Sequence, residues 1–336
     1  MKIIDRMQVP TGDILVVQGK DGPLECLSLG DYGKDVNIKC DALGLTSEPS
    51  QVRHTSLLPL EQKWVVTIST QYGCSMGCSF CDVPKVGPGK NVSDRDMAGQ
   101  VLACLSLHKE VRASSRLNVH FARMGEPTWN PAVLDVTRWL KSHIDPEYKI
   151  HPVVSTMMPR RNEWLKTFIH TWMRLKNRML GGNAGLQISV NSTDEDERSE
   201  MFHGNGCSLE EIARVMDGII PIGRKITLNF ALAGYTIDPV KLSRLFDPSL
   251  YICKLTPMHK TASAMSAGQA TDGDYTTFDP YRETEAALKS VGYDVLVFIA
   301  SHEEDDSRIT CGNAILAGTR PFDFCSQHGQ GYGANP

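Results

Sequence analysis

No run of about 18 apolar residues occurs in the chain, which argues against a helical membrane span. The opening Met1-Lys-Ile-Ile-Asp-Arg also lacks the long apolar stretch of a secretory signal, so a cytoplasmic, reducing location is expected. There is no basic surplus. The net charge is −4, and global charge does not advertise nucleic-acid binding, so any such contact must use a local patch. Internal repeats and low-complexity tracts are missing as well. What is present is a chain of 336 residues, 41% hydrophobic and 22% charged, the composition of a globular protein that can bury a sizeable core.

Ten cysteines in a reducing compartment read as ligands or reactive thiols rather than disulfides. Three of them crowd into Gly73-Cys-Ser-Met-Gly-Cys-Ser-Phe-Cys81, just past an apolar strand-like segment. Soft thiolates favour iron–sulfur clusters or zinc. A zinc ribbon would need a second Cys or His pair at matching spacing, and none follows within range. Cys74, Cys78 and Cys81 can instead hold three irons of a four-iron cluster, with the fourth left open to a small molecule. The plain alternative is three buried cysteines in an ordinary turn.

From Lys63 onward, short apolar runs alternate with longer amphipathic ones, the pattern of βα units around a parallel sheet. Strands are expected at 64–69, 117–122, 151–156, 186–191, 226–232, 251–256 and 294–300. Helices are expected at 93–108, 131–142, 162–178, 208–219, 239–245 and 280–291, with good starts at Ser93 and at Ser208 followed by Glu211. The predicted fold class is α/β, a partial (β/α)6 barrel like a TIM barrel with units missing, whose chemistry collects after the strands' C-terminal ends. Residues 1–62 read as a small β-rich element with strands at 12–18, 24–29 and 36–43, residues 63–316 as the barrel, and 317–336 as a loosely ordered tail.

The segment Thr70-Gln-Tyr-Gly-Cys-Ser-Met-Gly-Cys-Ser-Phe-Cys81, with Gly87, Asn91 and Gly99-Gln100 in step after it, resembles the cluster loop of the RlmN/Cfr-type radical S-adenosylmethionine (SAM) methyltransferases. Met124-Gly-Glu-Pro127 followed by Asn130 resembles that family's Met-Gly-Glu-Pro signature, and Asp305-Asp-Ser-Arg-Ile-Thr-Cys311-Gly312 its methyl-carrying segment. The match runs from about His54 to Leu316. The resemblance implies a [4Fe-4S] cluster on the three cysteines and SAM held by Gly125 and Glu126, with the Glu126 carboxylate on the ammonium. Ser155, Ser189, Val190 and Asn191 fall at strand ends where the family holds ribose and carboxylate; strand-end caps are the alternative for Ser155, Ser189 and Asn191. Phe80 either packs near the adenine or serves the core. Cys311 would accept a methyl group as thiolate and a 5′-deoxyadenosyl radical would activate it toward an RNA adenine. A reductant such as flavodoxin or ferredoxin is implied. A non-catalytic iron–sulfur or zinc protein is the competing class.

Four positions depart from the family. Thr67 stands where a second, resolving cysteine is expected, and a hydroxyl is a far poorer nucleophile toward sulfur. His54 aligns with the family's glutamate base and remains chemically able to take a proton near neutral pH. His259 replaces a SAM-contacting asparagine, and Asn191 replaces a histidine. Only about 60 residues precede the barrel, so the family's helical N-terminal RNA-binding domain is not expected. The remaining candidate RNA contact is 157–182, where Arg160, Arg161, Lys166, Arg174, Lys176 and Arg178 face Glu163 alone, with Trp164, Phe168 and Trp172 interleaved. At helical spacing those rings suit a core face and the charges a solvated one. These departures keep open a radical SAM enzyme of the same ancestry acting on a nucleotide, peptide or small metabolite.

Overall fold

The computed structural model describes residues 1–32, 38–39, 56–269, 271 and 273–318. The strands, in chain order, are β1 (Lys2–Val9), β2 (Gly12–Gly19), β3 (Gly22–Leu29), β4 (Ile38–Lys39), β5 (Trp64–Ile68), β6 (Gln71–Gly73) and β7 (Pro88–Asn91). They continue with β8 (Ser114–Phe121), β9 (Tyr148–Thr156), β10 (Gly185–Ser189), β11 (Ile226–Leu232), β12 (Tyr251–Pro257) and β13 (Asp294–Phe298). One 11-stranded sheet runs β1-β2-β3-β5-β8-β9-β10-β11-β12-β13-β4, and β6 pairs with β7 in a separate ribbon. From β5 to β13 every neighbouring pair in that sheet is parallel. This is the open, partial TIM-like barrel that the βα alternation predicts.

Alternation on the strands decides what the barrel encloses. On β11, Ile226, Leu228, Phe230 and Leu232 are buried among other apolar side chains, while Thr227, Asn229 and Ala231 turn to the other face and are half-buried. Apolar residues thus pack against helices and polar ones line the lumen. The expected helix starts form: the Ser93 hydroxyl accepts from the Asp96 amide, and Ser208 with Glu211 makes both bonds of a capping box.

Several elements differ from expectation. The N-terminal strands continue the barrel sheet, because β3 pairs antiparallel with β5, with Leu27 opposite Thr67. Strand β1 was not expected; it is an edge strand whose first seven side chains are exposed or half-buried, so it offers little apolar signal. Of the expected strand 36–43 only Ile38–Lys39 falls within the described residues, and the tail beyond 318 lies outside them. The helix expected at 162–178 is Leu165–Arg174 followed by a π turn at Leu175–Met179. The short helices Glu195–Met201, Ala262–Ser266 and His302–Asp306 span one to two turns and carry no readable period. No helix among the described residues is long and apolar enough to cross a membrane.

Candidate active site

The cysteine loop leaves the C-terminal end of β5 and is clamped by the β6–β7 ribbon. Gly73 makes the clamp possible: its φ is +80°, and a Cβ there would lie 2.0 Å from the Gly87 carbonyl oxygen. Four amide side chains from the matched motifs hold the approach. Gln100 donates to and accepts from the Ser69 backbone, Asn130 donates to the carbonyls of Thr70 and Val92, and Gln71 donates to Asn91. Gln71 also accepts from the Glu126 amide at 3.0 Å, which ties the Gly-Glu-Pro turn to the loop. Gly125 sits beneath at φ +95°, where a Cβ would approach the Gln71 amide nitrogen to 2.6 Å.

Cys74, Cys78 and Cys81 are free thiols. Burial pushes Cys74 up to about 11 and the other two well above the ordinary thiol range, with Cys74 and Cys81 adding to the effect at Cys78. Among the described residues no three His, Cys, Asp or Glu side chains converge to hold a single metal ion. The donor set, three unpaired soft thiols on one short loop, fits a cluster.

Glu126 is only 2% exposed. Burial raises its pKa against four opposing hydrogen bonds. Oε1 accepts from the Thr128 amide, the Thr128 hydroxyl and the Thr156 hydroxyl at 2.7–2.9 Å, whereas Oε2 accepts from the Met157 amide alone. The carboxylate therefore joins the ends of β8 and β9 and keeps acceptor capacity on Oε2.

Past these strand ends lies a cavity of about 250 Å³. Of the residues singled out from sequence, Thr67, Phe80, Ser155, Ser189, Asn191, His259 and Cys311 all line it. Gly125, Glu126, Val190 and the three loop cysteines do not; Val190 is fully buried, with its carbonyl taken by Arg198. His54 lies outside the described residues. Phe80 meets Phe202 edge-on at 6.3 Å, so its packing and cavity roles coincide. Asn191 takes φ +58°, a left-handed conformation that asparagine tolerates, and its Oδ1 accepts from the Ala231 amide.

Cys311 is held over the cysteine loop: the next residue, Gly312, accepts from the Asp82 amide at 2.8 Å. The thiol is open to solvent yet enclosed by protein on most sides. Enclosure raises its pKa while the Lys254 ammonium and the Arg123 guanidinium pull it down. The other described cysteines do not line the cavity: Cys104, Cys207 and Cys253 are buried elsewhere, and Cys325 is outside the described residues. No described cysteine therefore takes the place that Thr67 leaves.

Sequence reasoning missed the setting of His259. Its Nδ1 lies 3.3 Å from Asp305 Oδ1, and Asp305 also accepts from the hydroxyls of Tyr275 and Thr310 and from the Lys260 amide. Burial acts to raise the Asp305 pKa, but the bonds from His259, Thr310 and Lys260 outweigh it and hold the carboxyl well below the usual range. A group lowered on folding contributes its stabilisation above its unfolded value of about 3.9 and loses it as pH falls below that value. Asp305→Asn is therefore expected to cost about 1.5–3 kcal/mol at pH 7, the scale of hydrogen bonds to a charged group. Thermal unfolding from pH 7 to 3 checks this: the gap to the parent protein should begin to narrow below about pH 4 and keep narrowing as the pH falls. A pH-independent gap would mean that the carboxylate charge is not its source.

The expected basic patch is smaller than its sequence suggests. Lys176 is fully buried and donates to the Ile222 carbonyl, and Arg160 pairs with Glu211 at 3.2 Å. Phe168 and Trp172 face the core as their spacing predicts, but Trp164 is 67% exposed.

Comparison with known proteins agrees with the motifs. No family model matches the chain. The dual-specificity RNA methyltransferase RlmN of Sorangium cellulosum is 28% identical over 264 residues, 76% of this chain and 62% of that protein. RlmN of Campylobacter lari is 27% identical over 223 residues, 62% of this chain and 58% of that protein. The chain thus spans about 60% of the length of these curated relatives. A radical SAM methyltransferase from Sphaerobacter thermophilus shares the fold, with a TM-score of 0.62 at 20% identity over 93% of this chain and 80% of that one. Likeness in sequence to RlmN proteins and in fold to a radical SAM methyltransferase thus agrees with the resemblance that the cysteine loop and the Gly-Glu-Pro turn carry.

Proposed function

We propose that the protein is a radical SAM enzyme that methylates an adenine in RNA, with Cys311 as the intermediate methyl carrier. The observation that carries this reading is the shared cavity, where Cys311, Phe80, Ser155, Ser189, Asn191 and His259 meet beside the three-cysteine loop. A cluster and SAM would supply radical chemistry, which is required because the ring carbons of adenine are not nucleophilic. The chain's own residues divide the remaining work. Cys74, Cys78 and Cys81 would hold the cluster; Glu126 offers Oε2 to the ammonium; Ser155, Ser189 and Asn191 would hold ribose and carboxylate, whereas the Val190 backbone is already spent on Asn229 and Arg198. Phe80 packs the adenine, and His259, oriented by Asp305, sits where a proton can be held. Anaerobic reconstitution followed by mass spectrometry tests the reading. S-methylcysteine at 311 and methyladenosine in incubated RNA are expected, and absence of both would reject it.

Thr67 gives a sharper test, because it lines the same cavity as Cys311. Without a second thiol, a covalent protein–RNA adduct has no resolving partner on this wall. Thr67→Cys should therefore lower the amount of trapped adduct and raise released methyladenosine, both read by denaturing gels and nucleoside analysis. An unchanged adduct level would show that Thr67 is not at the resolving position.

A second reading, a small substrate in place of RNA, is favoured by the reduced basic patch and by the polar floor of the cavity. SAM cleavage that proceeds without RNA and is unaffected by adding it would support this reading over the first.

A further inference from the structure

The floor of the cavity joins Thr67 and Ser155 to four groups, His120, Gln187, Asn229 and Lys254, that methyl transfer does not use. Thr67, His120, Ser155, Gln187, Asn229 and Lys254 project from successive strands β5 to β12 into the lumen and line the cavity together. Among the described residues none of these six side chains makes a hydrogen bond to the protein. Polar side chains at such depth need a partner, whether solvent or ligand.

The charges there have one sign. Lys254 stands 4.8 Å from the Phe298 ring centroid and pairs with no described carboxylate. Arg123, 5% exposed, reaches Glu25 with Nε at 3.4 Å while its Nη2 has no partner. Near His120 lie two more cations, Arg116 on β8 and Arg224 just before β11. A Cβ on Gly185 would be 3.3 Å from Arg224 Nη1, so this glycine makes room for the guanidinium on the inner face of β10. Neither arginine is paired with a described carboxylate: Asp294 is taken by Lys225 and Asp31 by Lys63. Burial, with Arg224 adding to it, lowers Lys254 to about 8, and burial with the surrounding cations lowers His120 to about 3. An arriving anion would relieve both.

We propose that this floor binds the terminal phosphate of a small substrate, which places the rest of that substrate toward Cys311. A carboxylate offers two oxygens, whereas the floor presents Lys254 and several neutral donors with two further cations behind them; a three-oxygen dianion matches that set. The phosphate is taken as terminal because six adjacent strands, β5 and β8 to β12, line the floor together, so an end group entering from the Cys311 side meets all of them. The inference deepens the small-substrate reading and rests on it only for the position of the methyl carrier.

Titration calorimetry on the reconstituted full chain with inorganic phosphate, at ionic strength fixed with chloride, tests the floor. Saturable one-to-one binding is expected, weakened about tenfold or more in both Lys254→Met and Arg224→Met. No saturable binding by the parent protein, or binding undiminished in both variants, overturns the proposal. Adenosine monophosphate, adenosine and a 5′-hydroxyl oligoadenylate then separate the sources. The monophosphate should bind about tenfold or more tighter than adenosine through Lys254. Equal binding of those two overturns the substrate assignment, as does an oligonucleotide that equals the monophosphate in a Lys254-dependent way. SAM cleavage in the same samples reports separately: its failure with phosphate binding intact would sink the radical SAM reading and leave the anion site standing.

Discussion

Cys311→Ala is expected to abolish methylation, by about 10⁴-fold or more, the scale on which loss of a covalent nucleophile is felt. The expectation follows from how few thiols reach the cavity. Among the described residues Cys311 is the sole cysteine on its wall, and the nearest cations, Lys254 and Arg123, favour the thiolate that enclosure disfavours. The substitution should spare the cysteine loop, since the contact between the two is made by the Gly312 carbonyl and the Asp82 amide. Iron and sulfide content and SAM cleavage should therefore persist while methyladenosine disappears. Methylation that survives would move the methyl carrier to another residue. Loss of iron together with activity would show that the alanine had disturbed the loop, and Cys311→Ser would then repeat the test.

Contiguous features of this site were legible in the sequence and dispersed ones were not. Cys74, Cys78 and Cys81 fall within eight residues, so spacing marked them, and Met124-Gly-Glu-Pro was marked by its resemblance to a family signature and its place after a strand. The structure adds why the neighbouring matches matter: Gln71, Asn91, Gln100 and Asn130 are amide latches on that loop. The His259–Asp305 contact joins residues 46 apart. It forms only because β12 ends beside the short helix His302–Asp306, which has no period to read. The lumen cations were hidden differently. Lys254 lies within Tyr-Ile-Cys-Lys-Leu-Thr and His120 within Leu-Asn-Val-His-Phe, where alternation announces a strand but not whether its polar face meets water or a closed interior. The basic segment failed for a related reason. Counting charges could not show that the chain would bury Lys176 against Ile222 and spend Arg160 on Glu211.

Cys78→Ala tests the other pole of the site and should remove both the cluster and all SAM cleavage. Cys78 is 8% exposed and packs with Met76, Met201 and Phe202, so its sulfur is held in an apolar wall rather than left free to be replaced. The loop cannot close up around its loss. Ser79 donates to the Met201 carbonyl and Asn205 donates to the Met76 carbonyl, which fixes the turn on either side. Two thiols would remain for a cluster that needs three, and no described acid or histidine stands ready with them to complete a metal site. Iron and sulfide analysis after anaerobic reconstitution should fall to background and the visible absorption of the cluster should vanish. The fold should stay intact, because the loss of one buried sulfur here costs about 1–3 kcal/mol. Retention of a full complement of iron and sulfide in this variant would show that Cys78 is no ligand, and the reading of the loop as a cluster site would fail with it.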